Sequence, residues 1–186
     1  MSDTTALLDL LVRQSVRRGD FLLASGKRSD LYVDARMTTM HPEGLILVGA
    51  LGLEAISAAG WVADAIGGLT LGADPVAYAV SYASARSRRP LRAFTVRKEA
   101  KAHGTGKRIE GPFVAGDRVV VVEDVITTGA SALTAVEAVR AHGGTVLGVL
   151  AVVDREEGGR EAIEVAGVPV KALATRGALL ARAASA

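Results

Sequence analysis

The stretch from Val119 to Ser131 reads Val-Val-Val-Val-Glu-Asp-Val-Ile-Thr-Thr-Gly-Ala-Ser and combines the residue types needed to hold a phosphorylated sugar. Thr127, Thr128 and Ser131 supply hydroxyls and Gly129 allows a close backbone approach. A helix starting here would add unpaired amides and the positive end of its dipole. Glu123 and Asp124 repel phosphate, but carboxylates beside a phosphate site accept hydrogen bonds from sugar hydroxyls. Phosphate plus diol means phosphoribose. The alternative is an ordinary strand-to-helix turn in which Asp and Thr cap the helix.

A second set of chemical groups lies in Arg97-Lys98-Glu99-Ala100-Lys101-Ala102-His103-Gly104. Three of the five lysines of the chain fall between positions 98 and 107, a local enrichment that demands a reason. A closing loop of Arg, Lys and His would neutralise a multiply charged leaving group and exclude water; a solvated surface loop is the plainer alternative. Gly104-Thr105-Gly106-Lys107 imitates the end of a nucleotide-binding P-loop, but Arg108 stands where Ser or Thr is needed, so a nucleotide triphosphatase is excluded.

Arg155, in Val153-Asp154-Arg155-Glu156-Glu157-Gly158, follows an apolar run and is suited to a bidentate grip on a carboxylate. An ion pair with Glu156 or Glu157 is the alternative use of the same side chain. His41 and His142 have no metal-ligand company and read as structural, at a helix start and a helix end.

The elements that must position these groups follow from periodicity. Leu7, Leu8, Leu11, Val12 and Val16 predict an opening helix from about Thr4 to Arg18, ended by Gly19. An extended excursion or hairpin is expected between Phe21 and Met40, then a helix from Pro42 to Gly60 and a strand over Trp61 to Ile66. Gly67-Gly68-Leu69-Thr70-Leu71-Gly72 reads as a loop, serving either as a tight turn or as a close approach to pyrophosphate. A helix from Asp74 to Ala85 and a strand from Leu91 to Val96 follow, and residues 97 to 117 read as one long irregular loop.

Arg118 to Asp124 and Thr145 to Val153 are continuous apolar runs on either side of a helix from Ala130 to His142. Such runs are covered on both faces, and their alternation with helices requires a parallel sheet. A last strand is expected at Val168 to Leu173, with a fraying helix after Thr175. The fold class expected is α/β, doubly wound, with a mainly parallel sheet, helices on both faces and a small N-terminal hood, all in a single domain over residues 1–186. In an open sheet of this kind ligands bind beyond the carboxyl ends of the strands, which is where Glu123 to Ser131 fall.

With 49% hydrophobic and 23% charged residues the chain can bury a core, and without cysteine it has neither disulfides nor a thiolate site. The N-terminus is unlike a signal peptide and no apolar run is of membrane-spanning length, so a cytoplasmic protein with no membrane partner is expected. A net charge of +2 agrees with anionic substrates without demanding nucleic acid.

The segment from Val119 to Ser131 resembles the phosphoribosyl pyrophosphate motif of type I phosphoribosyltransferases. The string RKEAKAHGTGKRIEG resembles the catalytic loop of the orotate phosphoribosyltransferases, and with EDVITTG and GGLTLGADP the likeness spans most of the chain. The resemblance implies transfer of 5-phosphoribose from phosphoribosyl pyrophosphate to orotate, with Mg2+ as cofactor, in pyrimidine biosynthesis. It implies that Arg97, Lys98, Lys101, His103, Glu123, Asp124, Val125, Ile126, Thr127, Thr128, Gly129, Ala130 and Ser131 bind the donor. Of these, Lys98, Lys101, His103 and Asp124 would act in catalysis. Thr127, Arg155, Tyr32 and Val33 would bind orotate. It further implies a homodimer in which Lys98 and His103 reach the partner's site. Two positions depart from some relatives: Ala24 stands where a lysine precedes Ser-Gly, and Thr70-Leu71 replace Tyr-Lys. A purine phosphoribosyltransferase and an RNA-binding regulator on the same fold are the rival functions; Arg155 and the loop string argue against the first, while the second should carry a basic face of its own and the RKEAKAHG string favours the enzyme.

Overall fold

The structure is a computed structural model that describes residues 3–22, 28–99 and 108–185. Its centre is a six-stranded sheet in the order β5-β4-β3-β6-β7-β8. The strands are β3 (Ala65–Leu69), β4 (Arg92–Val96), β5 (Ile109–Glu110), β6 (Arg118–Ile126), β7 (Thr145–Asp154) and β8 (Val170–Thr175). All pairings are parallel except that of β5 with β4.

The four valines of β6 explain why this strand is central. Val119 and Val121 enter one core with Phe94, Val149 and helix α5 (Ala130–Ala141). Val120 and Val122 enter the other, against α3 (Pro42–Ala58) and α4 (Ala73–Ser84). All four are fully buried, and burying each side chain contributes about 1.5–3 kcal/mol. Helix α6 (Gly159–Val165) lies on the α5 side through Ile163, while α1 (Asp3–Gln14) and α7 (Arg176–Ala184) join the α3 side through Leu7, Leu11 and Leu179. Helices therefore cover both faces, as the continuous apolar runs require. Among the described residues no helix is long and apolar enough to cross a membrane.

The hood is an antiparallel hairpin of β1 (Val16–Leu22) and β2 (Arg28–Val33), followed by the short helix α2 (Arg36–Thr39). It is tied to the body by Asp34 N–H donating to Ser15 O at 3.0 Å and by the buried Ser15–Thr38 hydroxyl pair at 2.7 Å. Phe21 packs on Tyr32 across the two strands, ring centroids 5.6 Å apart.

Four expectations need correction. The opening helix stops at Gln14, not Arg18, because residues from Val16 onward pair with β2; Gly19 sits in a bulge between Arg18 and Phe21 instead of ending a helix. Gly67 and Gly68 lie inside β3, not in a loop. A Cβ on Gly67 would fall 2.2 Å from Phe94 O, and one on Gly68 would fall 2.1 Å from Val122 O, so strand packing excludes side chains there. The loop over 97–117 is interrupted by β5, whose Ile109 pairs with Val96. Helix α6 was not anticipated: Ile163 is its one buried large apolar residue, too little to set a helical period.

Candidate functional site

The strand order runs outward through β4 from β3 and outward through β7 from β6, so the chain changes direction between β3 and β6. The carboxyl ends of those two neighbours open a cleft of about 320 Å3. Its floor is Leu69 to Gly72 after β3 and Glu123 to Thr127 at the end of β6.

Glu123 and Asp124 are held in unlike ways. Glu123 is only 8% exposed, and its Oε2 has no hydrogen-bond partner among the described residues. Burial, reinforced by the neighbouring Asp124 charge, pushes its carboxyl up to about 8. Burial also raises Asp124, against the Val125 N–H that donates to its Oδ1 at 2.9 Å and the charge of Arg36. A buried polar oxygen of this kind can take a hydrogen bond from a ligand.

From Val125 to Ser131 the chain wraps a separate hollow of about 90 Å3 that joins the cleft at Thr127 and Ser131. Gly129 has φ +81°, and a Cβ there would sit 2.7 Å from Gly159 O, so both conformation and space demand glycine. No side chain caps α5; the Thr128 hydroxyl lies at 3.5 Å from Ala130 N–H, the limit of hydrogen-bond reach. The helix start therefore has no side-chain N-cap, an arrangement whose amides and dipole can take an anion. His142, at the other end of α5, donates through Nδ1 to Ala138 O at 2.8 Å and is structural, as its position implied.

Tyr32 and Val33 of β2 line the cleft, with Asp34 and Arg36 beyond them. Arg155 enters beside them from the end of β7. It is 5% exposed and its Nη2 lies 2.8 Å from Glu157 Oε1 and donates to Leu31 O at 3.2 Å. Of the uses foreseen for this arginine, the ion pair with Glu157 is formed, and the side chain also lines the cleft.

Lys98 lines the cleft of its own chain. Arg97 does not line it; its guanidinium pairs with Glu110 at 3.1 Å and its backbone with Arg108. Lys101 and His103 lie outside the described residues, as does Ala24. Glu123, Asp124, Val125, Thr127 and Ser131, expected to bind the donor, and Tyr32, Val33 and Arg155, expected to bind the base, are thereby brought to one cleft, with Ile126, Thr128, Gly129 and Ala130 in the adjoining hollow. Asp34 and Arg36 were missed by sequence reasoning. Their spacing of two in an irregular segment carries no periodic signal, and only the hairpin turns them inward. Among the described residues no group of His, Asp and Glu gathers to hold a metal ion by itself.

A family described as the phosphoribosyl transferase domain matches residues 38–168. The orotate phosphoribosyltransferase of Aquifex aeolicus is 48% identical over 176 residues, 93% of this chain and 95% of that protein. The orotate phosphoribosyltransferase of Mycobacterium avium is 52% identical over 167 residues, 90% of each. Among solved structures, the Mycobacterium tuberculosis H37Rv orotate phosphoribosyltransferase in complex with 5-phospho-α-D-ribosyl 1-diphosphate superposes with a TM-score of 0.80 at 44% identity, covering 96% of this chain and 99% of that one. With likeness of sequence and fold over nearly the whole chain, and the expected site residues at the carboxyl ends of β3, β6 and β7, this chain belongs to the orotate phosphoribosyltransferases, within the phosphoribosyl transferase domain family.

Proposed function

We propose that the cleft transfers 5-phosphoribose from phosphoribosyl pyrophosphate to N1 of orotate, giving orotidine 5'-monophosphate and pyrophosphate, a step of pyrimidine biosynthesis. The observation that carries this reading is the junction, in one cleft, of the uncapped turn at Thr127 to Ser131, the buried Glu123 beside the half-buried Asp124, and the arginine at 155.

The 5-phosphate takes the 127–131 hollow, where backbone amides and hydroxyls converge. The ribose hydroxyls meet Glu123 and Asp124. As the bond from C1 to the pyrophosphate oxygen breaks, its electron pair leaves with pyrophosphate, and N1 supplies the pair for the new bond to C1 as its proton passes to the departing pyrophosphate. The Asp124 carboxylate offsets the cationic character that develops on the ring. Arg155 reads the orotate carboxylate, exchanging Glu157 for the ligand, under the cover of Tyr32 and Val33. Arg97, Lys98, Lys101 and His103 close over the pyrophosphate. In this reading residues 1–186 form a single domain, two chains form a homodimer that shares Lys98 and His103 across its sites, and the enzyme is cytoplasmic without nucleic-acid or membrane partners.

The two acids also suit Mg2+. That ion ordinarily takes one or two carboxylates and completes its shell with phosphate and water oxygens, and Glu123 and Asp124 offer oxygens beside the place a pyrophosphate would fill. When bound, it would neutralise charge on the leaving group.

The test is a base screen with phosphoribosyl pyrophosphate and Mg2+, monitoring pyrophosphate. Orotate is expected to be consumed, and uracil, adenine and hypoxanthine are not. Turnover of uracil or a purine with none of orotate would overturn the reading.

A further inference from the structure

Arg36 is the cleft residue for which no role has been given. Asp34 fixes it: Oδ1 accepts from Arg36 Nε at 2.8 Å and from its backbone N–H at 3.2 Å, and Oδ2 accepts from Nη2 at 3.0 Å. This clamp uses two of the five N–H groups of the guanidinium and leaves three for other acceptors. It also fixes the plane of the fork, so a ligand would meet a cation that is already oriented.

The place of Arg36 within the cleft tells which ligand group it would meet. At Thr127 and Ser131 the cleft joins the phosphate hollow. At Asp34, Arg36 and Leu71 it opens instead onto a groove bordered by Met37 and Met40. In the pose proposed above, with the 5-phosphate in the hollow and the hydroxyls on the acids, the C1 substituent would extend towards that second opening. Arg36 lies near enough to Asp124 for each charge to stabilise the other. Leu71, beside it, brings no charge, and Arg155 is engaged with Glu157 and Leu31 on the base side.

We propose that Arg36, positioned by Asp34, binds the pyrophosphate group of the donor, a reading that rests on the phosphoribosyl transfer proposed above. It takes the part of a fixed cation in the body of the cleft, distinct from the cations of the loop after β4.

The test measures binding of inorganic pyrophosphate with Mg2+ by titration calorimetry, with ribose 5-phosphate as the control that reports the hollow alone. Arg36→Gln is expected to weaken pyrophosphate about tenfold or more, as loss of charge-assisted hydrogen bonds does, while ribose 5-phosphate binds as in the parent. Arg36→Lys should recover part of the loss, and Asp34→Asn, which keeps the guanidinium but loosens its clamp, should fall between the parent and Arg36→Gln. Pyrophosphate bound equally by the parent and Arg36→Gln, or an equal loss of ribose 5-phosphate, would overturn the inference. The parent's turnover of orotate is read separately: its failure would reject the transferase reading, and the two binding measurements would still decide Arg36.

Discussion

A Cβ placed on Gly72 would lie 2.5 Å from the carboxylate of Asp124, so the turn after β3 and the acid at the end of β6 interlock with no side chain between them. Gly72 has φ −63°, so its backbone conformation is open to any residue and only space forbids a larger one. Gly72→Ala is expected to displace the Asp124 side chain, which has a flexible end, and not the backbone. Turnover should fall about a hundredfold, the scale of a small misplacement in a site, with little change in melting temperature. Steady-state kinetics beside a thermal melt check this; a large loss of stability with intact turnover would contradict it.

Glu123 makes stability depend on pH. Its carboxyl is raised from 4.5 to about 8 in the folded chain, so between those values the folded state holds a proton that the unfolded state has released. Stability is therefore full below the lower value and is lost as pH rises through the upper one, at about 1.4 kcal/mol per pH unit. Glu123→Gln removes this slope. Asp64, held down to about 2 by Arg118, acts with the opposite sign and only below its ordinary 3.8. Denaturant midpoints of parent and Glu123→Gln without ligand should diverge from mildly acid to mildly alkaline pH; parallel curves would reject the assignment.

Arg155→Leu should raise the KM for orotate about tenfold to a hundredfold and lower turnover, while the KM for the donor stays close to that of the parent. The loss falls on one substrate because Arg155 lies with Tyr32 and Leu31, on the base side of the acids. An equal rise in both KM values would argue against a base-reading arginine.

How much of this was legible in sequence depends on the kind of signal. The four valines followed by two acids announced β6 because a doubly covered strand is apolar; the acids lie within the strand, still paired with β7, where its pairing with β3 has ended at Val121. The two glycines of β3 misled, because glycine marks a turn and a crowded strand with the same letter; Phe94 and Val122, which crowd them, are remote in sequence. Val16 continued the helical period of Leu7, Leu8 and Leu11, yet pairing with Val33 decided its conformation. Asp34 and Arg36 left no signal, since a two-residue spacing acquires meaning only when a hairpin folds it over a cleft.

Lys98 lines the cleft of its own chain, whereas the family likeness assigns it to the partner's site, and the two arrangements differ in a mixing experiment. Lys98→Ala subunits exchanged with Asp124→Asn subunits should regain activity that neither homodimer has. One site of each mixed dimer then unites intact acids with an intact lysine, so about a quarter of all sites recover under two-fold symmetry. Mass spectrometry of tagged chains verifies the exchange. Verified mixed dimers with no regained activity would assign Lys98 to its own chain.

The alternate valines of β6, divided between the two cores with β3 and β7 on either side, have a consequence in time as well as in space. An amide in such a strand meets solvent only when both layers part, so its hydrogen exchange follows global unfolding. The β1–β2 hairpin stands outside the central sheet and meets the body through Leu31 and Val33, which enter the α3-side core, and through polar links at Ser15, Asp34 and Thr38, so it opens by parting one layer and not two. Deuterium should enter the cover of the cleft long before it enters the strand that carries the acids. The cover of the cleft then yields before its floor, and the carboxylates stay in place on a strand whose backbone is among the last to open.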